Sequence, residues 1–209
     1  VTILYLGSGR EERLMASTTG RKPRERILAA ATQLFYEEGI NATGVDRIIT
    51  EADVAPMTLY RHFDGKDELV TATLERWGEQ WLGWLRVEVE RSGDDAAARL
   101  EGLWDALEKW FAAERFRGSY VANVANELRG KPAHPAQRAI TAHRAAMREL
   151  LQDAVRATGT PGREAVGLQL QMLIDGAIAV AMVDRQPGAA TSARTLATTV
   201  LTGFEGPSR

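Results

Sequence analysis

The 209-residue chain has no cysteine. That absence excludes disulfides, thiolate-ligated zinc, iron–sulfur clusters and thiol catalysis together, and it is compatible with a reducing compartment. Histidine is scarce: His62, His134 and His143 are the whole supply, which leaves little material for a His-dependent active site or a three-histidine metal centre. Long hydrophobic runs are missing too. The longest near the end, Ile178 to Val183, lies between Asp175 and Asp184, far short of the roughly 20 apolar residues that cross a bilayer. The opening Val1 to Leu6 lacks a basic leader and a full-length apolar core, so no signal peptide, no membrane partner and a cytoplasmic location are expected. No G-x-G-x-x-G, P-loop, G-x-S-x-G or H-E-x-x-H occurs, and an enzyme is not expected.

An excess of one charge is lacking as well. The 26 Lys and Arg face 28 Asp and Glu, for a net charge of −2, and this balance gives no overall signature of a nucleic-acid partner. Locally the picture differs. Arg21, Lys22, Arg24 and Arg26 crowd together with only Glu25 opposing them. Phosphate attraction is screened beyond about 8 Å at physiological salt, so a short basic arm counts for more than the total. What is present in quantity is ordinary globular material: 44% hydrophobic and 26% charged residues, enough for a real core in one large domain or two small ones.

Residues 1–20 carry no periodicity and read as a disordered tail, within which Met15-Ala-Ser-Thr-Thr-Gly looks more like a protein beginning than Val1 does. Residues 1–14 are therefore expected to be an upstream extension. From residue 24 the pattern is helical almost throughout. Ile27, Leu28, Ala31, Leu34 and Phe35 recur at helical spacing and Gly39 closes the segment. Thr43 is placed as N-cap of a second helix bearing Val45, Ile48, Ile49 and Ala52. After the break Ala52-Asp53-Val54-Ala55, Pro56 suits the first position of a third helix that ends at Asp64-Gly65. A fourth helix opens on Asp67 and Glu68 and runs to about Arg91. Further helices follow near 100–111, 119–128, 136–157, 165–183 and from 189 to near Phe204. No segment alternates with period two, so the expected fold is all-α.

The second and third helices, joined by a tight turn, form a helix-turn-helix arrangement. Leu59 and Phe63, one turn apart, face inward onto Ile48 and Leu34; Met57, Thr58 and Arg61 then face out, flanked by Tyr60 and His62. An exposed Arg61 can fork onto guanine, and Met57 offers apolar contact to a thymine methyl. Tyr60 and His62 suit phosphate oxygens, which set register without reading sequence. Lys66 with the start of the fourth helix suits one phosphate, and Thr43 another. A three-helix segment of this kind also arises as plain packing, and spacing alone leaves the two readings level.

Ile27-Leu-Ala-Ala-Ala-Thr-Gln-Leu-Phe35, Gly39, Ala42-Thr43, Val45, Ile48, Ala52, Val54, Thr58-Leu59-Tyr60, His62-Phe63, Lys66 and Leu69 resemble the N-terminal domain of TetR-family transcriptional regulators, over about 45 residues. The resemblance implies a homodimer of about nine helices per subunit that binds a palindromic operator. It places DNA contacts at Thr43, Thr58, Tyr60, Arg61, His62 and Lys66. Three residues depart from the family pattern. Asp53 stands where Gly is usual in the turn, and Asp tolerates the left-handed region better than most. Ala55 replaces a usual Ser, removing a helix cap. Met57 replaces a usual Gly or Ala and adds bulk at the groove. The domain division that follows is a tail over 1–20, a DNA-binding domain over 21–66 and a ligand-sensing and dimerisation domain over 67–209.

All five tryptophans fall in the fourth and fifth helices. Trp77, Trp81 and Trp84 share a face, with two of the three expected in the core and Trp81 or Trp84 reaching a pocket. The candidate ligand residues are Trp81, Trp84, Trp104, Asn123, His143 and Asp175, walling a largely apolar cavity for a small-molecule effector. Asp175 is marked as a buried polar partner. Asn123, Glu127, His134, His143 and Asp175 lack metal spacing and are expected to be hydrogen-bonded; no metal or cofactor is assigned. Helices eight and nine, with Gly176, Ala177, Ala179 and Ala181 among Leu and Ile, form the expected homodimer interface. The functional expectation is a ligand-responsive repressor of double-stranded operator DNA. The alternative is a dimeric DNA-binding protein without a ligand, whose second domain is a scaffold.

Overall fold

A computed structural model describes residues 22–156, 163–186 and 188–202. The tail over 1–20, Arg21 and Phe204 lie outside the described residues. Among those described there are nine α-helices and no strands: α1 Pro23–Glu38, α2 Val45–Glu51, α3 Pro56–His62, α4 Lys66–Arg91, α5 Ala96–Phe111, α6 Tyr120–Glu127, α7 Ala136–Val155, α8 Arg163–Val183 and α9 Ala189–Thr202. Local chemistry explains most of the boundaries. Pro23 and Pro56 stand at the first positions of α1 and α3, where a missing N–H costs no helical bond. Asp95 and Ser119 cap α5 and α6 by accepting from Ala98 N–H at 2.7 Å and Ala122 N–H at 3.2 Å. His134, expected to be hydrogen-bonded, is so: its Nδ1 accepts from Ala136 N–H at 3.1 Å, and its Nε2 lies 3.2 Å from Asp67.

The chain divides into two compact units. The first takes the described residues up to Gln80 together with Ser119–His143; the second takes Trp81–Gly118 and the described residues from Arg144 onward. Thus α6 and the start of α7 join the unit that holds α1, α2 and α3. In the first unit Ile27, Leu34, Phe35, Ile48, Leu59 and Phe63 are all buried, as their spacing predicts. In the second, Leu85, Leu103, Leu107, Trp110, Leu151 and Leu170 are buried.

Two expectations change here. Thr43 is not the N-cap of α2; that position is Gly44, with no side-chain cap. Thr43 is 1% exposed, and its hydroxyl donates back to the Gly39 carbonyl at 2.8 Å, with the Leu34 carbonyl at 3.4 Å. The Gly39 carbonyl lies past the last residue of α1, beyond the helical hydrogen-bond ladder, and the hydroxyl is drawn to it. Second, Glu164–Val183 is long and apolar enough to cross a bilayer by length and composition. Gln169, Gln171 and Asp175 interrupt the run but not the average. One such helix is weak evidence of a membrane, because a core helix meets the same criteria, and α8 packs on α9 and α5.

The turn between α2 and α3 depends on Asp53, whose φ of 50° lies in the left-handed region. Its side chain also meets Arg26 at 3.4 Å, but it is 93% exposed, so the pair adds little. The backbone term dominates. Asp53→Ala is expected to lower local stability by about 1 kcal/mol and Asp53→Gly to leave it nearly unchanged, read by hydrogen exchange over α2 and α3.

Candidate nucleic-acid interface

Helices α1, α2 and α3 pack on one another to build the candidate surface. Leu59 at 0% exposure and Phe63 at 1% anchor α3 inward. The helix is thereby rotated so that Met57 and Tyr60, 73% and 54% exposed, and Arg61, also exposed, stand outward together. Thr58 and His62 are half-buried at the edges of this face. Ala55 is the N-cap of α3 and offers no side-chain cap, as its departure from Ser predicts. Lys66 opens α4 and is half-buried. The two carboxylates beside it are engaged elsewhere: Asp67 with His134, and Glu68 with the Asp64 N–H at 2.6 Å. The α4 N-terminus therefore keeps its cationic residue with its neighbouring acids occupied. Thr43 contributes no side chain to this surface, since its hydroxyl is turned inward.

The basic arm is partly consumed by the same unit. Arg24 lies with its guanidinium 5.3 Å from the centroid of the Phe63 ring, and Arg26 reaches Asp53. Lys22 is the exposed N-cap of α1. These contacts were invisible in the sequence because the partners are 27 and 39 positions away.

The six candidate ligand residues fall into both units. Asn123 and His143 belong to the first and are half-buried. The His143 ring lies 5.9 Å from Trp77, and a Cβ on Gly78 would meet its Nδ1 at 2.8 Å. Trp81, Trp84, Trp104 and Asp175 belong to the second. Trp81 is buried and packs on Trp110 at 5.2 Å and Trp84 at 6.3 Å; Trp104 is buried, and Trp84 is half-buried. Trp77 and Trp81 are thus the two core members of the α4 tryptophan stripe. Asp175 is not a buried polar partner. Its side chain is 44% exposed and pairs with Arg144 at 2.9 Å. The buried polar residue of α8 is Gln171, one turn earlier, which accepts from Arg148 at 3.2 Å and donates to the Arg144 carbonyl at 3.3 Å. None of the six lines either of two grooves in the second unit. One, of about 440 Å³, is bordered by Arg86, Arg99, Leu150 and Arg156 among others; the other, of about 510 Å³, by Arg148, Gln152 and Leu168.

Sequence reasoning also passed over one residue of α6. Tyr120 is fully buried, with its hydroxyl 2.9 Å from that of Thr73. Burial pushes its phenol well above the ordinary tyrosine range despite that hydrogen bond. Glu127 accepts from the backbone N–H groups of Ile40 at 2.9 Å and Asn41 at 2.8 Å. Its place in a polar pair with Asn123 was visible, but its partner was not.

Comparison with known proteins agrees with this geometry. Residues 27–73 match the model of the tetR family of bacterial regulatory proteins. The chain is similar to the crystal structure of SCO4454, a TetR-family transcriptional regulator from Streptomyces coelicolor, at 32% identity and a TM-score of 0.78. That likeness covers 87% of this chain and 95% of the other. It is 34% identical over 116 residues to the transcriptional repressor KstR2 of Rhodococcus jostii, covering 53% of this chain and 56% of the relative. It is 32% identical over 88 residues to the transcriptional activator FasR of Mycolicibacterium smegmatis, covering 41% of this chain and 40% of the relative. The matches to these two curated relatives thus span about half of their length or less.

Proposed function

Because the chain belongs to the TetR family, it is a DNA-binding transcriptional regulator rather than an enzyme, and we propose that it is a repressor which binds a palindromic operator as a homodimer and is released by a small molecule. Residues 21–66 read the DNA in this proposal, and residues 67–209 sense the effector and dimerise. The observation that carries it is the rotation of α3, which buries Leu59 and turns Met57, Tyr60 and Arg61 outward as one face. Arg61 is assigned to a guanine edge, Met57 to a thymine methyl, and Thr58, Tyr60, His62 and Lys66 to the phosphate backbone.

The homodimer interface is assigned to α8 and α9. Leu168, Met172, Val180, Val183 and Leu196 are 40–71% exposed, and a contiguous apolar face of this kind marks an interaction surface. A Cβ on Gly176 would meet nothing within 4 Å, so this glycine leaves room for another helix to approach. The effector is a small, largely apolar molecule held in the second unit beside Trp84, the half-buried tryptophan. It acts by favouring a dimer whose reading helices no longer match the half-site spacing. The alternative, a dimeric regulator without an effector, is favoured by the mutual packing of Trp81 and Trp110. Apolar compounds that release bound operator support the first reading and reject the second.

Arg61→Ala is expected to weaken operator binding about 10- to 100-fold and to relax sequence preference at one position of each half-site. Lys66→Ala is expected to weaken all duplexes alike and to flatten the salt dependence. Fluorescence anisotropy with specific and scrambled duplexes at two salt concentrations distinguishes the two. Unchanged specific binding by Arg61→Ala would reject the assigned face.

A further inference from the structure

The short helix α6 is joined at its start to the last part of α1 and at its end to the segment just beyond α1. At its start, the buried Tyr120 ring stands edge-on to Tyr36 of α1 at 6.1 Å and to Trp77 of α4 at 5.8 Å, and its hydroxyl meets Thr73 of α4. At its end, Glu127 grips the chain just beyond α1. One carboxylate oxygen accepts from Ile40 N–H and the other from Asn41 N–H. Between these ends Val121 and Val124 are buried, and Leu128 follows buried. All these residues belong to the first compact unit.

The gripped segment is the link that leads into α2. It leaves α1 at Gly39 with φ of 89°, carries the Thr43 hydroxyl bonded back to Gly39, and enters α2 at Val45. Gly39 suits this place twice over, since a Cβ there would also meet the Glu127 carboxylate at 2.9 Å. Glu127 is 86 positions from Asn41, and its contact is made to backbone, so it fixes where the chain runs rather than which side chain it bears. Two adjacent N–H groups shared between the oxygens of one carboxylate form a directional, charge-assisted clamp.

From this geometry we infer that Glu127 is a positioning residue for DNA reading: its carboxylate on α6 sets the α1–α2 link and through it the placement of α2 beneath the reading helix. The inference rests on the DNA-binding function of the chain and adds a residue that touches no DNA. The first three helices then read an operator in the arrangement that α6 allows, and a displacement of α6 releases two N–H groups and loosens the link.

The test uses the full chain, a duplex selected from random DNA by the wild-type protein, and a scrambled duplex of equal length. Glu127→Ala removes both acceptors. Glu127→Gln keeps one oxygen and turns an NH2 toward the other N–H, and it serves if the alanine variant folds poorly. Asn126→Ala, on the exposed neighbour, is the control. The expected result is faster hydrogen exchange at Ile40 and Asn41 and a fall of about tenfold or more in affinity for the selected duplex. Affinity for the scrambled duplex stays unchanged, Glu127→Gln is intermediate, and the control behaves as wild type. Equal affinity of Glu127→Ala and wild type for the selected duplex would overturn the inference. So would a parallel loss on both duplexes with a lowered melting temperature, which marks a purely structural role. Failure of the wild-type protein to select any sequence would instead overturn the DNA-reading premise, and the inference with it.

Discussion

With α8 as the proposed dimer contact, placing aspartate at both Met172 and Val183 is expected to leave the protein monomeric and to lower operator affinity by about 10²- to 10⁴-fold. The two side chains are 64% and 71% exposed on α8, so neither substitution disturbs the interior of its own chain. Residues 168, 172, 176, 180 and 183 follow one another at four- and three-residue steps, which puts them along a single helix face. Charges on that face are compatible with the folded monomer and incompatible with a desolvated apolar contact between two copies. The affinity loss follows from effective concentration: a dimer that has engaged one half-site binds the second as an intramolecular event, whereas a monomer does not. Sedimentation velocity reads the oligomeric state, and anisotropy on full and half operators reads the affinity. A double variant that remains dimeric would reject α8 as the interface.

Leu59→Ala is expected to lower stability by about 2–5 kcal/mol, the range for truncating a buried leucine. Few positions in the chain have as much at stake. The helix α3 has seven residues, too few to persist alone in water, and Leu59 is its buried residue. Removing that anchor leaves Met57, Tyr60 and Arg61 without a fixed orientation. Operator binding is expected to disappear while most of the helical circular dichroism remains, because α3 is a small share of the helix. Urea unfolding followed by tryptophan fluorescence would miss a loss confined to α1, α2 and α3, which hold no tryptophan. Hydrogen exchange over residues 56–63 is the direct readout. Native-like protection there in Leu59→Ala would contradict the role assigned to this side chain.

Much of the fold was legible because it is written in local chemistry. Pro56 at the start of α3, the break at Asp53 and the stop at Gly39 each act through their own backbone, so neighbouring residues suffice to read them. The inward face of α3 followed from helical spacing, as the burial of Leu59 attests, but the outward face only in part: Met57 and Arg61 are exposed as expected, whereas Tyr60 stands on that face in place of the half-buried Thr58. Long-range contacts were not legible. Thr43 sits where an N-cap belongs, yet the Gly39 carbonyl just past α1 claims its hydroxyl, and Gly44 takes the capping position. Nothing near Glu127 announces a partner 86 or 87 positions away. In α8 the difficulty is phase. Apolar residues surround that helix, so the pattern does not say which polar residue faces in, and Gln171 rather than the marked Asp175 is the buried one.

Whether the chain reads DNA sequence is decided by sequencing genomic DNA captured by the purified full chain at physiological salt. Sequence-specific reading through α3 enriches one short palindrome, recovered by the wild-type protein and lost in the Arg61→Ala variant. Capture that is salt-sensitive and spread over the genome, with no enriched sequence in either protein, would contradict it.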